Sequence, residues 1–190
     1  MNRVSTLKRI ILVTGPPGIG KTSVLRRAVN ELKNREYEIG GVICHEVREG
    51  GTRVGFEIMD LSTEARGWLA HVNHSTGPKV GKYHVNLIDL DVIGAGSILG
   101  AIQNADILAV DEIGPMELSS TAFSNALLKA MESSKPMLGT IHYRLSNSLV
   151  DSIKQREDVE IIKVTYENRE NLHSLITNMI NEYLTEQNKT

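Results

Sequence analysis

A single cysteine, Cys44, stands among 190 residues, so no disulfide can form within the sequence and a reducing compartment suits it. Aromatic residues reach only 4%, which leaves no platform of stacked rings for single-stranded nucleic acid. No apolar run approaches the roughly 18 residues that a membrane-spanning helix requires. Neither sign of charge dominates: 21 Lys and Arg against 23 Asp and Glu leave a net charge of −2. That balance lacks the electrostatic footprint of a nucleic-acid or membrane-surface protein. Residues 1–8 are too few and too polar for a signal peptide, and no repeat, linker or low-complexity stretch occurs. The expectation is a soluble cytoplasmic protein. At 190 residues and 41% hydrophobic content it is long enough for one domain, 1–190, with a full core.

What is present is concentrated in residues 9–22, RIILVTGPPGIGKT. Ile10, Ile11, Leu12 and Val13 form an uninterrupted apolar run, as expected of a strand buried on both faces of a parallel sheet. Gly15, Pro16, Pro17, Gly18, Ile19, Gly20, Lys21 and Thr22 follow at once and fit the phosphate-binding pattern G-x-x-x-x-G-K-S/T. The three glycines permit dihedrals that let backbone N–H groups converge on a polyphosphate. Lys21 is expected to reach the β- and γ-phosphates, and the Thr22 hydroxyl to ligate Mg²⁺. A helix over 20–34, with Val24, Leu25, Ala28, Val29 and Leu32 inward, points its positive end at the same anion. Chance produces the pattern in on the order of one chain of this length in 150. These residues predict a nucleotide-binding protein.

Further along, 38–47 and 53–60 read as strands joined through Gly50-Gly51, an antiparallel hairpin. Apolar pieces at Trp68-Leu69 and 79–85 extend this β-rich insertion, about 38–86, which could carry specificity or cover the site. Cys44 sits in GGVICHEV and reads as a small buried hydrophobe. His71 and His74 have no third ligand at metal-site spacing and read as surface or hinge residues. Residues 87–104 have Leu87, Leu90, Ile93, Ile98 and Ile102 at loosely helical spacing, interrupted by three glycines. Then come a buried strand at 105–110, a helix from 119 or 120 to 134, a strand at 136–141 and a helix at 147–156. The helix at 119–134 is expected to bury Ala122, Phe123, Ala126, Leu127, Ala130 and Met131. A strand at 159–165 and a helix at 168–184, striped by Leu172, Leu175, Ile176, Met179, Ile180 and Tyr183, close the order, leaving 186–190 as a frayed tail. Strands alternating with helices predict an α/β fold, a mostly parallel sheet covered on both faces.

The strand at 105–110 ends in Asp111-Glu112. An acid at the end of an apolar strand, about 90 residues after the phosphate loop, is the expected partner of Thr22 at the metal, acting through its water shell. Glu112 is then placed to polarise a water for attack on the γ-phosphate. Strand alternation would send the two carboxylates to opposite sides. Glu46 is the next acid to consider as the base.

The segment VDEIGPMEL, 110–118, resembles the V/I-D-E-I-G-K-M-E-L segment of a small nucleoside-triphosphatase family of thermophilic archaea and bacteria, with a cancer-related nucleoside-triphosphatase as its animal member. Further matches are CHEVREGGTRVGFEIMDL (44–61), KVGKYHV (79–85), GTI (139–141) and VTYENR (164–169), in the right order. Two departures are Cys44-His45-Glu46 in place of T-E-E and Pro115 in place of Lys. The resemblance implies a recombinase-like P-loop core that hydrolyses ATP, GTP and other nucleoside triphosphates with Mg²⁺, with little base selectivity.

The reading is therefore hydrolysis of a nucleoside triphosphate to the diphosphate and phosphate, with Lys21 and Glu112 catalytic and Thr22 and Asp111 at Mg²⁺. Strand 136–141 is expected between the two motif strands, bringing Thr140 or His142 to the γ-phosphate or the attacking water, with Arg144 in reach; surface-loop roles are the alternative for His142 and Arg144. Asn168 and Arg169 are candidates for the base, Asn168 equally for capping the final helix. A nucleotide or nucleoside kinase would need a water-excluding arginine lid, whereas Arg48, Arg53, Arg66 and Arg144 are scattered. A nucleotide-gated switch with slow hydrolysis is the other alternative. The only partner the residues point to is the triphosphate itself.

Overall fold

The computed structural model describes residues 7–187 and 189. Residues 1–6 of the polar N-terminal stretch, and Asn188 and Thr190 of the expected frayed tail, lie outside the described residues. β1 (Ile10–Thr14) lies within the parallel part of the sheet, and its first four residues are at most 1% exposed. Ile10 and Leu12 enter one core, Ile11 and Val13 the other. Alternate side chains leave a strand on opposite faces, so burial of both faces explains the unbroken apolar run. Each fully buried aliphatic side chain contributes about 1.5–3 kcal/mol relative to exposure.

α1 (Lys21–Asn34) buries Val24, Leu25, Ala28, Val29 and Leu32, as its spacing predicts, and packs against α6 (Leu172–Gln187) on the second face. The first face is covered by α3 (Gly96–Asn104), α4 (Thr121–Glu132) and α5 (Ser148–Lys154).

The other strands are β2 (Ile39–Glu49), β3 (Thr52–Asp60), β4 (Arg66–His71), β5 (Lys79–Val80), β6 (Tyr83–Val85), β7 (Ile107–Ile113), β8 (Met137–Ile141) and β9 (Val159–Lys163). Among the described residues these form one sheet in the order β5-β6-β4-β3-β2-β7-β8-β1-β9. β2, β7, β8, β1 and β9 run parallel; β3, β4, β6 and β5 extend the sheet antiparallel. β8 lies between β7 and β1, as expected. β2 joins the two parts: 39–42 pair with β7, and 42–49 form the hairpin with β3. Where β2 meets β7, Gly41 takes a φ of 113°, and a Cβ there would stand 2.1 Å from the Ala109 carbonyl oxygen. Only glycine lets the strands approach so closely.

Several expectations need correction. The helix expected over 87–104 is interrupted: a short α2 (Leu87–Asp89) leads into a π-helical segment, Leu90–Ala95, before α3. Gly94, in that segment, packs where a Cβ would come within 3.1 Å of Ile58, Leu90 and Phe123. Gly94 thus marks close packing, whereas a Cβ on Gly96 or Gly100 would meet nothing within 4 Å. In α4, Ala122 is exposed, since it falls off the stripe made by Phe123, Ala126, Leu127 and Ala130. In α6, Leu175 is 52% exposed while Leu172, Ile176 and Ile180 are buried. That helix runs to Gln187, so Glu186 and Gln187 are helical rather than frayed. β7 continues past Val110 to Ile113 and so includes both motif acids. His71 and His74 pack against Trp68, with ring centroids 4.5 and 6.4 Å away. Among the described residues, no helix is long and apolar enough to cross a membrane.

Candidate active site

β1 delivers the loop and α1 begins on its last residues, so the loop is held between two buried elements. Gly20 is the residue before α1, at a φ of 109°. Ile19 turns inward and is 6% exposed, anchoring the loop to the core rather than lining the cleft. The Lys21 ammonium donates to the Gly15 carbonyl at 3.3 Å and stands 3.7 Å from Glu112 Oε1. The sequence places these two charges 91 positions apart; β8 and β1 bring the ends of both motif strands together.

Asp111 is 2% exposed. Its Oδ1 accepts from the Thr140 hydroxyl at 2.7 Å and the Thr22 hydroxyl at 3.3 Å, while its Oδ2 is buried and has no hydrogen-bond partner among the described residues. Burial pushes its carboxyl above the usual range, and the Thr140 and Thr22 hydrogen bonds hold it back. A hydroxyl and a carboxylate with a free buried oxygen are hard donors, a set that fits Mg²⁺ with its remaining positions left to water and phosphate. Burial raises Glu112 as well, the Lys21 charge opposing and the Asp111 charge adding.

The loop residues Gly15, Pro16, Pro17, Gly18, Gly20, Lys21 and Thr22 line one cleft of about 730 Å³ together with Asp111 and Glu112. Asn168 and Arg169 do not line it. Asn168 Oδ1 accepts from the Thr165 N–H at 2.8 Å and its amide donates to the Lys163 carbonyl at 2.9 Å. Both ends of that side chain therefore hold its own loop, and its backbone carbonyl accepts from the Leu172 N–H at the start of α6. Arg169 runs beside the phosphate loop, its Cδ 4.0 Å from where a Cβ on Gly20 would stand, and its guanidinium lies 5.1 Å from the ring of Tyr166. Tyr166 is 73% exposed.

Thr140, His142 and Arg144 lie at the expected end of β8, whereas Cys44 and Glu117 take places the sequence did not disclose. Thr140 is wholly buried and faces Asp111, so its hydroxyl orients the acid instead of sensing a phosphate. His142 lines the cleft, but its Nδ1 accepts from the N–H groups of Arg144 and Leu145, which ties it to its own turn. Arg144 also lines the cleft. Glu46 is ion-paired with both Arg48 and Arg53, leaving its carboxylate engaged. Cys44 is half-buried, not a core residue; it lines the cleft and its Sγ donates to the Asp111 carbonyl at 2.7 Å. Burial and the charges of Glu117, Asp111 and Glu112 push its thiol well above the usual range, which disfavours the thiolate. Glu117, from the MEL end of the motif, is 5% exposed in the cleft wall, its carboxyl pushed up to about 8 by burial and by Glu112.

Residues 10–177 match the family model described as NTPase. The chain belongs to the NTPase family. Among members, the nucleoside-triphosphatase THEP1 of Thermofilum pendens is 48% identical over 160 residues, 84% of this chain and 88% of that one. The crystal structure of THEP1 from the hyperthermophile Aquifex aeolicus superposes with a TM-score of 0.80 at 26% identity, covering 90% of this chain and 98% of that one. The solution structure of a human cancer-related nucleoside triphosphatase gives 0.77 at 34% identity, covering 92% and 98%. Membership in the family accords with the mixed α/β P-loop fold described above.

Proposed function

We propose that the chain is a single-domain, cytoplasmic nucleoside-triphosphatase that hydrolyses ATP, GTP, CTP and UTP to the diphosphate and phosphate with Mg²⁺. The observation that carries this reading is the convergence of Lys21, Thr22, Asp111 and Glu112 on one cleft, with Thr22 3.3 Å from Asp111 and Lys21 3.7 Å from Glu112. The names of the relatives, nucleoside-triphosphatases, agree with it.

The loop amides and Lys21 bind the β- and γ-phosphates and neutralise their charge. Thr22 and Asp111 would hold Mg²⁺, which supplies electrostatic stabilisation to the phosphate oxygens when bound. Glu112 accepts a proton from the attacking water; the water oxygen bonds to the γ-phosphorus and the bond to the β,γ-bridging oxygen breaks. A carboxylate whose proton affinity is raised by burial is the better base for this step. Arg169 and the exposed Tyr166 offer flat faces on which any base can stack, which supports low base selectivity. Asn168 belongs to the loop scaffold.

The test is phosphate release from the four triphosphates, with Mg²⁺ and with EDTA. Release from all four at rates within about tenfold, abolished by EDTA, is the expected result; a protein inert toward every triphosphate in Mg²⁺ overturns the reading.

A further inference from the structure

The phosphate loop, Asp111 and Glu112 occupy only one end of the cleft. The other end is built by the antiparallel extension: Phe56 of β3, Leu69 of β4 and Val80 of β5, with Met116 also in the lining. Hydrolysis requires a single water at the γ-phosphate, and these side chains have no part in it.

Two arginines stand in this chamber. Arg26 lies four residues beyond Thr22 on α1, about 6 Å along the axis, and its Nη2 donates to the Cys44 carbonyl at 3.3 Å. Arg53 is ion-paired with Glu46, and its guanidinium carbon lies 5.4 Å from the centroid of the Phe56 ring. The Nε atoms of both are shielded from solvent and have no hydrogen-bond partner among the described residues. Those atoms are out of reach of a ligand, but both side chains line the cleft, and the guanidinium fork matches a carboxylate or phosphate. Scattered along the sequence, these arginines form no lid; the fold collects them instead in one chamber.

The chamber adjoins the reacting end of the cleft. Cys44 Sγ contacts the Asp111 carbonyl, and Glu46 lies two residues further on the same face of β2, about 7 Å on at strand rise. Glu46 holds Arg53, which covers Phe56.

We infer that this chamber binds an organic anion, a phosphate monoester or carboxylate with a flat apolar body, held by Arg26 and Arg53 with its body on Phe56, and that this anion accepts the γ-phosphoryl group in place of water. The inference rests on the reading of residues 15–22 and 111–112 as the triphosphate site. An oxygen of the acceptor bonds to the γ-phosphorus, and the bond to the β,γ-bridging oxygen breaks. That oxygen leaves with the nucleoside diphosphate, and the acceptor becomes a diphosphate ester or an acyl phosphate. The attacking and leaving groups are both oxyanions, so no proton has to be removed.

The full chain with MgATP is offered AMP, CMP, GMP and UMP in one arm, and benzoate and indole-3-acetate in the other, with the uncharged nucleosides as controls. Calorimetry with a non-hydrolysable ATP analogue reads binding; phosphorus NMR reads diphosphate esters, and hydroxylamine traps acyl phosphate. At least one anion is expected to bind and be phosphorylated, while the nucleosides are not. Arg53→Ala and the charge-keeping Arg53→Lys should each weaken that binding, the first by about tenfold or more, with phosphate release from ATP alone within about twofold of wild type. Phe56→Leu should weaken it severalfold. If no probe in either arm binds, or if binding is unchanged in both Arg53 variants, the inference is overturned while hydrolysis stands. Failure to hydrolyse ATP with no acceptor present overturns the underlying reading instead.

Discussion

Thr140 of β8 donates a hydrogen bond of 2.7 Å to Asp111 Oδ1 on the neighbouring strand β7, and both side chains are buried, at 0% and 2% exposure. The proposed metal-binding acid is thus fixed by a hydroxyl that itself has no access to solvent.

Thr140→Val keeps the shape and removes the donor. Asp111 Oδ1 keeps the longer Thr22 hydrogen bond, so the loss in denaturant unfolding should be that of one hydrogen bond to a charged group, about 1.5–3 kcal/mol at most. The Mg²⁺ concentration for half-maximal turnover should rise, because Asp111 loses the contact that orients it. An unchanged Mg²⁺ dependence in a destabilised variant would make Thr140 purely structural.

Asn168 and Arg169 are neighbours with different jobs. Asn168→Ala removes two hydrogen bonds that close the loop after β9 and should lower thermal stability. Arg169→Ala leaves that loop intact and should raise KM for all four triphosphates together, since a guanidinium plane does not discriminate bases. If the four KM values stay at wild type, Arg169 has no part in base binding.

The parts of this molecule carried by contiguous residues were legible in the sequence. Ile10 to Val13 are apolar on both faces because both faces are buried, and the Lys21-Thr22 pair sits where the loop pattern places it. The position of β8 between the motif strands is what the resemblance to the phosphate-loop class implied, and the sheet order agrees with it. What was hidden depends on contacts between distant segments. Arg26, Cys44 and Arg53 look unrelated until β2 packs beside α1 and pairs with β3 in the hairpin. Glu117 is one letter of the VDEIGPMEL segment until the fold places it, buried, in the cleft wall. The π segment at 90–95 follows from packing of Gly94 against Ile58 and Phe123, which no local periodicity encodes.

Stability should respond to acid through Asp158. Its partial burial raises its carboxyl, but hydrogen bonds from Arg156 and Arg9 outweigh this and hold it below the usual range. A depressed carboxyl contributes stability above its unfolded value, near 3.9, and that contribution disappears as pH falls through the folded value. Asp158→Asn should therefore lower Tm at pH 7, with the gap to wild type narrowing as pH falls below the unfolded value, about 3.9. A gap that is constant with pH would show that charge is not the cause.

The central claim is that Asp111 serves the metal and Glu112 the water, and Glu112→Gln tests it most directly. Glutamine keeps the shape and cannot take a proton. Loss of a general base costs about 10²–10⁴ in rate. The variant should bind ATP with near-normal affinity, hydrolyse it at least about a hundredfold more slowly, and accumulate as the ATP complex, whereas Lys21→Ala should lose binding and turnover together. Wild-type turnover by a folded Glu112→Gln protein would contradict the account.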